Sequence, residues 1–240
     1  MEIEVLGSYG GESLECRMTC LLINGRIALD AGSLTQALPI ERQVEVHSIL
    51  LSHSHMDHTS ALPFFIENVY GQSQDAIDLY GSGATIYAIR KYLFNNATWP
   101  DFTRLPNHLL PAVRFHELRS EQAVTIDGVR FTPIPVNHLV PTHGFLIEGD
   151  GAAVLWSSDT GPTQRLWEVA NRTRNLRAVC IDTSFDTSLQ HVADVSLHLT
   201  PQTLVQELEK LRADVPIYLH HLKPPCVEKI HREIEALGRP

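Results

Sequence analysis

At 240 residues, with 43% apolar and 20% charged side chains, the chain has a globular composition and the length for one α/β domain with a full core. A formal net charge of −9, with no stripe of Lys and Arg, argues against a broad nucleic-acid surface, and no apolar run reaches membrane-spanning length. The start Met1-Glu2-Ile3-Glu4 lacks the basic and apolar regions of a secretory signal, so the expected location is the cytoplasm. Cys16, Cys20, Cys180 and Cys226 form no C-x-x-C pair, which fits free thiols.

Along the chain, strand-like apolar runs fall first at residues 3–6, 21–28 and 46–51. The third leads directly into residues 53–58, His-Ser-His-Met-Asp-His. Three imidazoles and a carboxylate are too many ligands for one tetrahedral ion, because zinc takes four in all and a catalytic zinc leaves one position for water. From an extended loop His53 and His55 point the same way and share one ion, while Asp57 and His58 face a second. The plain alternative is a His-rich surface tract. Such tracts sit in polar low-complexity sequence, whereas this cluster ends a strand-like run. Gly81-Ser82-Gly83 lacks the fuller G-x-G-x-x-G phosphate-loop pattern, and a strand-to-helix turn accounts for it. Residues 95–120, from Asn95-Asn96 through Trp99-Pro100-Asp101-Phe102 to His116, read as an irregular loop or lid. Trp99 and Phe102 suit either stacking on a purine or packing of that loop. The aromatics and proline it exposes also make a homodimer an expectation.

Further strand-like runs fall at residues 129–136, 144–148, 152–156, 178–181 and 217–219. Polar ligand types follow several of them: Asp159 after Val154-Leu155-Trp156, Asp182 after Val179-Cys180-Ile181, and His221 after Tyr218-Leu219. Sites of open α/β sheets form beyond the carboxyl ends of strands, so these ends are expected to converge on one cleft. Thr200-Pro201 reads as a cap with proline in the first helical turn, ahead of an apolar face of Leu204, Val205, Leu208 and Leu211. A last helix carries Val227, Ile230, Ile234 and Leu237, with Gly238 just past its end. Short strands interleaved with helices predict a layered α/β domain.

The ordered set H-x-H-x-D-H, a later isolated His, an Asp after a strand and a late His resembles the signature of metallo-β-lactamase-fold hydrolases. His53, His55, Asp57, His58, His138, Asp159 and His221 fill it, and Leu6-Gly7-Ser8-Tyr9-Gly10-Gly11 and Leu29-Asp30-Ala31-Gly32 are similar to that fold as well. Within the superfamily the chain resembles class II 3′,5′-cyclic-nucleotide phosphodiesterases. The segments are Leu93-Phe94-Asn95-Asn96 through Trp99-Pro100-Asp101-Phe102, Ser158-Asp159-Thr160-Gly161-Pro162, His198-Leu199-Thr200-Pro201 followed by Leu208, and His221-Leu222-Lys223-Pro224. Met56 stands where that family usually has Leu.

The resemblance implies a four-layer αββα sandwich (α/β, or α+β by some schemes) as a single domain over residues 1–240, with a binuclear metal centre. On that pattern His53, His55 and His138 hold one ion, Asp57, His58 and His221 the other, and Asp159 bridges. Asp57 counts among the catalytic residues too. Two divalent ions are implied, Zn²⁺ first, with Mn²⁺ or Fe²⁺ the alternatives. A hydroxide held by the two metals attacks phosphorus in line with the leaving ribose oxygen. His198 is then the general acid for that oxygen and Asp182 the carboxylate that holds its imidazole, a pattern shared with the tRNA 3′-processing endonucleases. The implied partner is a small-molecule cyclic nucleotide, cAMP or cGMP, hydrolysed to its 5′-monophosphate; a membrane partner is not expected and a large nucleic acid is disfavoured.

Plainer readings stand beside these roles. His138 is a structural histidine or a ligand, Asp159 a helix cap before Pro162 or a bridge, and Asp182 a turn residue or the dyad partner. His220 and His221 compete for one position, since strand alternation lets only one face the metals; the resemblance selects His221. His143 lies near substrate or merely starts a strand, and Lys223 touches phosphate or solvent. His47, His108, His116, His191 and His231 are taken as ordinary. The rival activities are another phosphodiesterase, acting on 2′,3′-cyclic nucleotides or RNA ends, then a lactonase or thioesterase, then a non-hydrolytic metal-binding or redox domain.

Overall fold

The computed structural model describes residues 1–72, 75–107 and 110–237, so His108 and Gly238 lie outside the described residues. The chain divides into two compact units, Met1–Gly7 with Arg17–Arg119, and Ser8–Cys16 with Ser120–Pro240.

The first unit holds a six-stranded mixed sheet. Its strands are β1 (Ile3–Gly7), β2 (Cys20–Ile23), β3 (Ile27–Leu29), β4 (Ser48–Leu50), β5 (Ile77–Gly81) and, after a small ribbon of β6 (Pro106–Asn107) and β7 (Leu110–Pro111), β8 (Val113–Glu117). They lie in the order β1-β2-β3-β4-β5-β8, antiparallel from β1 to β3 and parallel from β3 to β8. The apolar run 21–28 is not one strand. Asn24-Gly25 folds it into the hairpin of β2 and β3, with φ of 50° and 70° at the two turn residues, and an Asn-Gly pair favours such a turn. Leu21, Leu22, Ile23, Ile27, Ala28 and Leu29 are each no more than 2% exposed, the uninterrupted burial of strands covered on both faces. β5 and β8 escaped the apolar-run reading because their polar positions pair with each other. Asp78 on β5 accepts from Arg114 (3.0 Å) and His116 (2.8 Å) of β8, so part of the segment read as an irregular loop is sheet.

Five helices flank this sheet: α1 (Leu34–Ala37), α2 (Ile40–Gln43), α3 (Met56–Thr59), α4 (Leu62–Val69) and α5 (Gly83–Ala88), which runs on into a π turn at Ile89–Leu93. α4 buries Leu62, Phe65, Ile66 and Val69, one face at helical spacing. Ser82 caps α5 by accepting the Thr85 N–H at 3.1 Å, so Gly81-Ser82-Gly83 is a strand-to-helix turn. Phe102 is buried in this core, with its ring 5.9 Å from Phe94 and 5.8 Å from Tyr70, while half-buried Trp99 meets Phe64 edge-on at 5.2 Å.

The second unit carries another six-stranded mixed sheet, from β9 (Val124–Ile126), β10 (Val129–Pro135), β11 (His143–Gly149), β12 (Ala152–Trp156), β13 (Leu176–Asp182) and β14 (Ile217–His220). β9 to β12 form an antiparallel meander and β12, β13 and β14 run parallel. Its helices are α6 (Arg165–Arg172), α7 (Gln190–Ser196), α8 (Pro201–Leu208) and α9 (Val227–Ala236). α8 starts as the sequence predicts: Thr200 forms a capping box with Thr203, and Pro201 sits in the first turn. Leu211 lies beyond the helix end, and the inward face includes Glu207, which the apolar pattern missed.

Glu207 is buried and accepts from Trp167 Nε1 (2.7 Å), the Thr163 N–H (3.1 Å) and Lys210 Nζ (2.6 Å), tying α6 to α8. Cys20 and Cys226 are buried and Cys16 and Cys180 half-buried, all as free thiols; burial pushes the Cys180 thiol up to about 12. Among the described residues no helix is long and apolar enough to cross a membrane. Glu207→Ala leaves the Trp167 indole N–H buried without its acceptor, and denaturant unfolding is expected to show a loss of about 1–3 kcal/mol.

Candidate functional site

The candidate ligands are divided between the units. In the first, β4 ends at Leu50 and the chain turns so that His55 caps α3 in extended geometry (φ −64°, ψ 153°), with Asp57 and His58 inside that short helix. His53 and His58 are fully buried, His55 and Asp57 half-buried. The His53 ring lies 4.6 Å from that of His55 and 4.2 Å from that of His58. Two residues absent from the predicted site hold these rings. Asp30, buried and in the left-handed region (φ 59°), accepts His58 Nδ1–H at 2.8 Å, the Ser52 N–H at 2.8 Å and the Ser52 hydroxyl at 2.9 Å. Ser52 Oγ in turn lies 3.0 Å from His53 Nδ1. The rest of Leu29-Asp30-Ala31-Gly32 grips α3 by its backbone. The Ala31 N–H donates to the His58 carbonyl at 2.7 Å, and a Cβ at Gly32 would stand 2.0 Å from the Asp57 carbonyl oxygen.

In the second unit the three candidate metal ligands each follow a strand. His138 comes after β10 and its Nδ1–H donates to the Leu197 carbonyl at 3.2 Å. Asp159 follows β12, just beyond Ser158 at φ 53°, and its Oδ2 lies 3.8 Å from His138 Nε2 and 3.1 Å from His221 Nε2. A carboxylate oxygen between two imidazoles is the placement a bridging ligand needs. His221 follows β14 at φ 63°, and its backbone N–H donates to the Ser8 carbonyl at 2.5 Å. Lys223 Nζ donates to the Gly10 carbonyl at 2.6 Å, which fastens the Ser8-Tyr9-Gly10-Gly11 segment beside His221. A Cβ at Gly10 would stand 2.5 Å from His221 Cε1, so only glycine lets this backbone reach the ring.

Asp182, at the end of β13, accepts His198 Nδ1–H at 2.7 Å, the Ser184 hydroxyl at 3.0 Å, and the N–H groups of Thr160 and Leu199 at 3.3 Å each. Burial opposes ionisation of both partners, but the ion pair wins. Against burial, the Asp182 charge and hydrogen bond hold the His198 imidazolium above the usual histidine range. In the same way the His198 charge and hydrogen bond keep the Asp182 carboxyl below the usual carboxylate range. The His198 ring stacks on that of His221 at 5.1 Å and 14°.

Three further histidines have local partners. His220 stacks on Trp156 at 3.8 Å with Nε2 3.1 Å from Ser157 Oγ, a packing role inside the sheet. His143 begins β11 with Nε2 2.9 Å from Ser120 Oγ, and burial lowers its pKa. His116 pairs with Asp78.

The donor set fits divalent cations. His53, His58, His138 and His221 each have Nδ1 engaged by Ser, Asp or a backbone carbonyl, which orients Nε2 as the ligand nitrogen, the arrangement found around metal-bound histidines. The family model described as a β-lactamase superfamily domain matches residues 21–221. The chain belongs to this family. It is a hydrolase of the metallo-β-lactamase fold, with His/Asp clusters able to hold metal ions. A probable 3′,5′-cyclic-nucleotide phosphodiesterase of Yersinia pestis is 27% identical across 93% of this chain and 78% of its own. A ribonuclease Z of Mycobacterium bovis is 29% identical, but over 51% of this chain and 47% of its own. Among solved structures, unliganded yeast PDE1 superposes with a TM-score of 0.80 over 98% of this chain and 93% of that one, at 17% identity.

For this superfamily member, Gly10→Ala is expected to displace the His221 ring and weaken divalent-metal retention about 10-fold in a chelator competition. The unfolding midpoint of the metal-free chain should fall as well, because the added Cβ would stand 2.8 Å from the His221 carbonyl oxygen, in a segment held there by the Gly10 N–H on the Leu222 carbonyl and by Lys223 on the Gly10 carbonyl.

Proposed function

We propose that this hydrolase is a phosphodiesterase that converts 3′,5′-cyclic nucleotides, cAMP or cGMP, to 5′-monophosphates. The observation that carries the reading is the buried Asp182–His198 pair, 2.7 Å apart beside His221. An ester of a good leaving group does not need such a pair. A ribose 3′ oxygen does, because it leaves poorly as an alkoxide. The likeness to the Yersinia pestis relative, 27% identical over 93% of this chain, supports the cyclic-nucleotide substrate.

In this reading His53, His55 and His138 form one ligand set, Asp57, His58 and His221 the other, and Asp159 serves both. Two bound Zn²⁺ ions would supply an activated water and polarise the phosphate oxygens. The chain's own contribution is positional. Asp30 and Ser52 fix the rings of His58 and His53, and the Leu197 carbonyl fixes His138. Asp182 keeps the His198 Nδ1 proton engaged and favours the charged ring, so the proton at Nε2 is the one delivered to the departing 3′ oxygen. Asp57, half-buried on α3, completes the carboxylate complement.

RNA-end processing is the second reading, favoured by the ribonuclease Z match over half the chain; the net charge of −9 weighs against an RNA surface. A panel of cAMP, cGMP, 2′,3′-cyclic AMP, a tRNA precursor and a lactone separates the possibilities, and no turnover of any 3′,5′-cyclic nucleotide would sink the reading.

His198→Ala is expected to slow cyclic-nucleotide hydrolysis ~10²–10⁴-fold while leaving a nitrophenyl phosphodiester, whose leaving group needs no proton, within several-fold of wild type. Equal losses on both substrates would remove His198 from the acid role. Chelation should abolish turnover and lower the unfolding temperature, and Zn²⁺ should restore both; a chain equally stable and active after metal removal contradicts the ligand sets.

A further inference from the structure

Ser184 lies two residues beyond Asp182 and is fully buried. Its Oγ stands 3.0 Å from Asp182 Oδ1, 3.1 Å from His198 Nδ1 and 2.9 Å from His221 Nδ1. A hydroxyl has one proton to give and lone pairs to receive, whereas a carboxylate only receives. Ser184 therefore donates to Asp182 Oδ1, while His198 Nδ1–H donates to Asp182 Oδ2 at 2.7 Å. Toward His221 the serine oxygen is then an acceptor, and His221 Nδ1–H is the donor. That bond selects the tautomer with the proton on Nδ1 and the lone pair on Nε2, the form in which an imidazole binds a cation.

We propose that Ser184 is a positioning residue that joins the leaving-group acid to a metal ligand: through its hydroxyl, the single carboxylate of Asp182 orients His198 directly and His221 by relay. The proposal rests on the reading of His221 as a ligand and His198 as an acid. The backbone of Ser184 serves the same end. Its N–H donates to the Leu199 carbonyl at 3.0 Å and its carbonyl accepts the Lys223 N–H at 2.9 Å, so the segments carrying His198 and His221 are both tied to it.

The first unit repeats the device with different elements. Ser52 donates its hydroxyl to Asp30 Oδ2 at 2.9 Å and faces His53 Nδ1 at 3.0 Å, while His58 Nδ1–H donates to the same carboxylate at 2.8 Å. In each unit one carboxylate holds one imidazole directly and a second through a serine. Two occurrences, on unrelated strands and loops, argue that the relay is built and not incidental to burying a polar side chain.

Zn²⁺ affinity, read by competition with a chromogenic chelator, tests the relay without any substrate. Wild type is compared with Ser184→Ala, Ser184→Thr and His221→Ala. Ser184→Ala should weaken binding about 10- to 100-fold, Ser184→Thr, which keeps the hydroxyl, should recover most of it, and His221→Ala should lose at least as much as Ser184→Ala. With zinc in excess, Ser184→Ala should also lower cAMP turnover more than nitrophenyl phosphodiester turnover, which a residue needed only for folding would not do. If Ser184→Ala does not fold, Ser184→Cys, which keeps the side-chain volume but offers only a weakly hydrogen-bonding thiol, stands in for it. Undiminished zinc affinity in the serine variant, beside weakened binding in His221→Ala, overturns the relay and leaves the phosphodiesterase reading standing. Undiminished affinity in His221→Ala overturns the ligand assignment and the relay with it.

Discussion

A carboxylate removed from water must find donors for its oxygens, and the way Asp182 and Asp30 do so governs the rest of this structure. Each is fully buried at the end of a strand. Asp182 takes two backbone N–H groups, a serine hydroxyl and an imidazole N–H. Asp30 takes one backbone N–H, a serine hydroxyl and an imidazole N–H. Satisfying these oxygens fixes ring orientation, tautomer and loop path at once. The arrangement is self-consistent in a way that separate hydrogen bonds would not be, since losing either carboxylate would leave several buried donors without acceptors.

The backbone carries a matching constraint. Four residues in the left-handed region, Asp30, Ser158, Leu197 and His221, lie within the candidate site or hold its side chains. Ser158 and Leu197 are not residue types that favour this conformation, and His221 only modestly does. Leu197 takes it as the left-handed C-cap of α7, with the His198 N–H returning to the Ala193 carbonyl at 2.9 Å, while at His221 a long-range contact holds it, the His221 N–H on the Ser8 carbonyl. By contrast Asn24, Asp127 and Asp150 adopt the same region before glycine in the tight hairpins β2–β3, β9–β10 and β11–β12, where the turn asks for it. Of the four described residues other than Asn and Asp that take this conformation, Ser158, Leu197 and His221 lie at the candidate site and Glu121 does not.

Much of the second unit was legible in sequence. Its meander strands have long apolar or alternating runs, Thr200-Pro201 announced α8, and Asp159, Asp182 and His221 stand where the strands end. The first unit was less so. β5 and β8 have interleaved polar positions whose reason is a cross-strand Asp78–Arg114–His116 cluster that no single-strand pattern contains. Phe102, open to a role in base stacking, is buried among Phe94 and Tyr70. Glu207 broke the expected apolar face of α8 because its three donors come from α6, the preceding turn and Lys210.

The sequence by itself determined the family, the identity of the histidines and aspartates on offer, and where strand ends would present them. The family follows from the resemblance that the ordered motif carries, and the strand ends from periodicities of two and 3.6, which are local. Tertiary structure alone decided which nitrogen of each imidazole is held, that His220 packs on Trp156, and how Ser52, Ser184, Gly10 and Gly32 act on the histidine rings and the loops beside them. A serine or a glycine has no chemical signature at its own position. Its role arises from what another segment brings within 3 Å of it, and the sequence does not write that distance down.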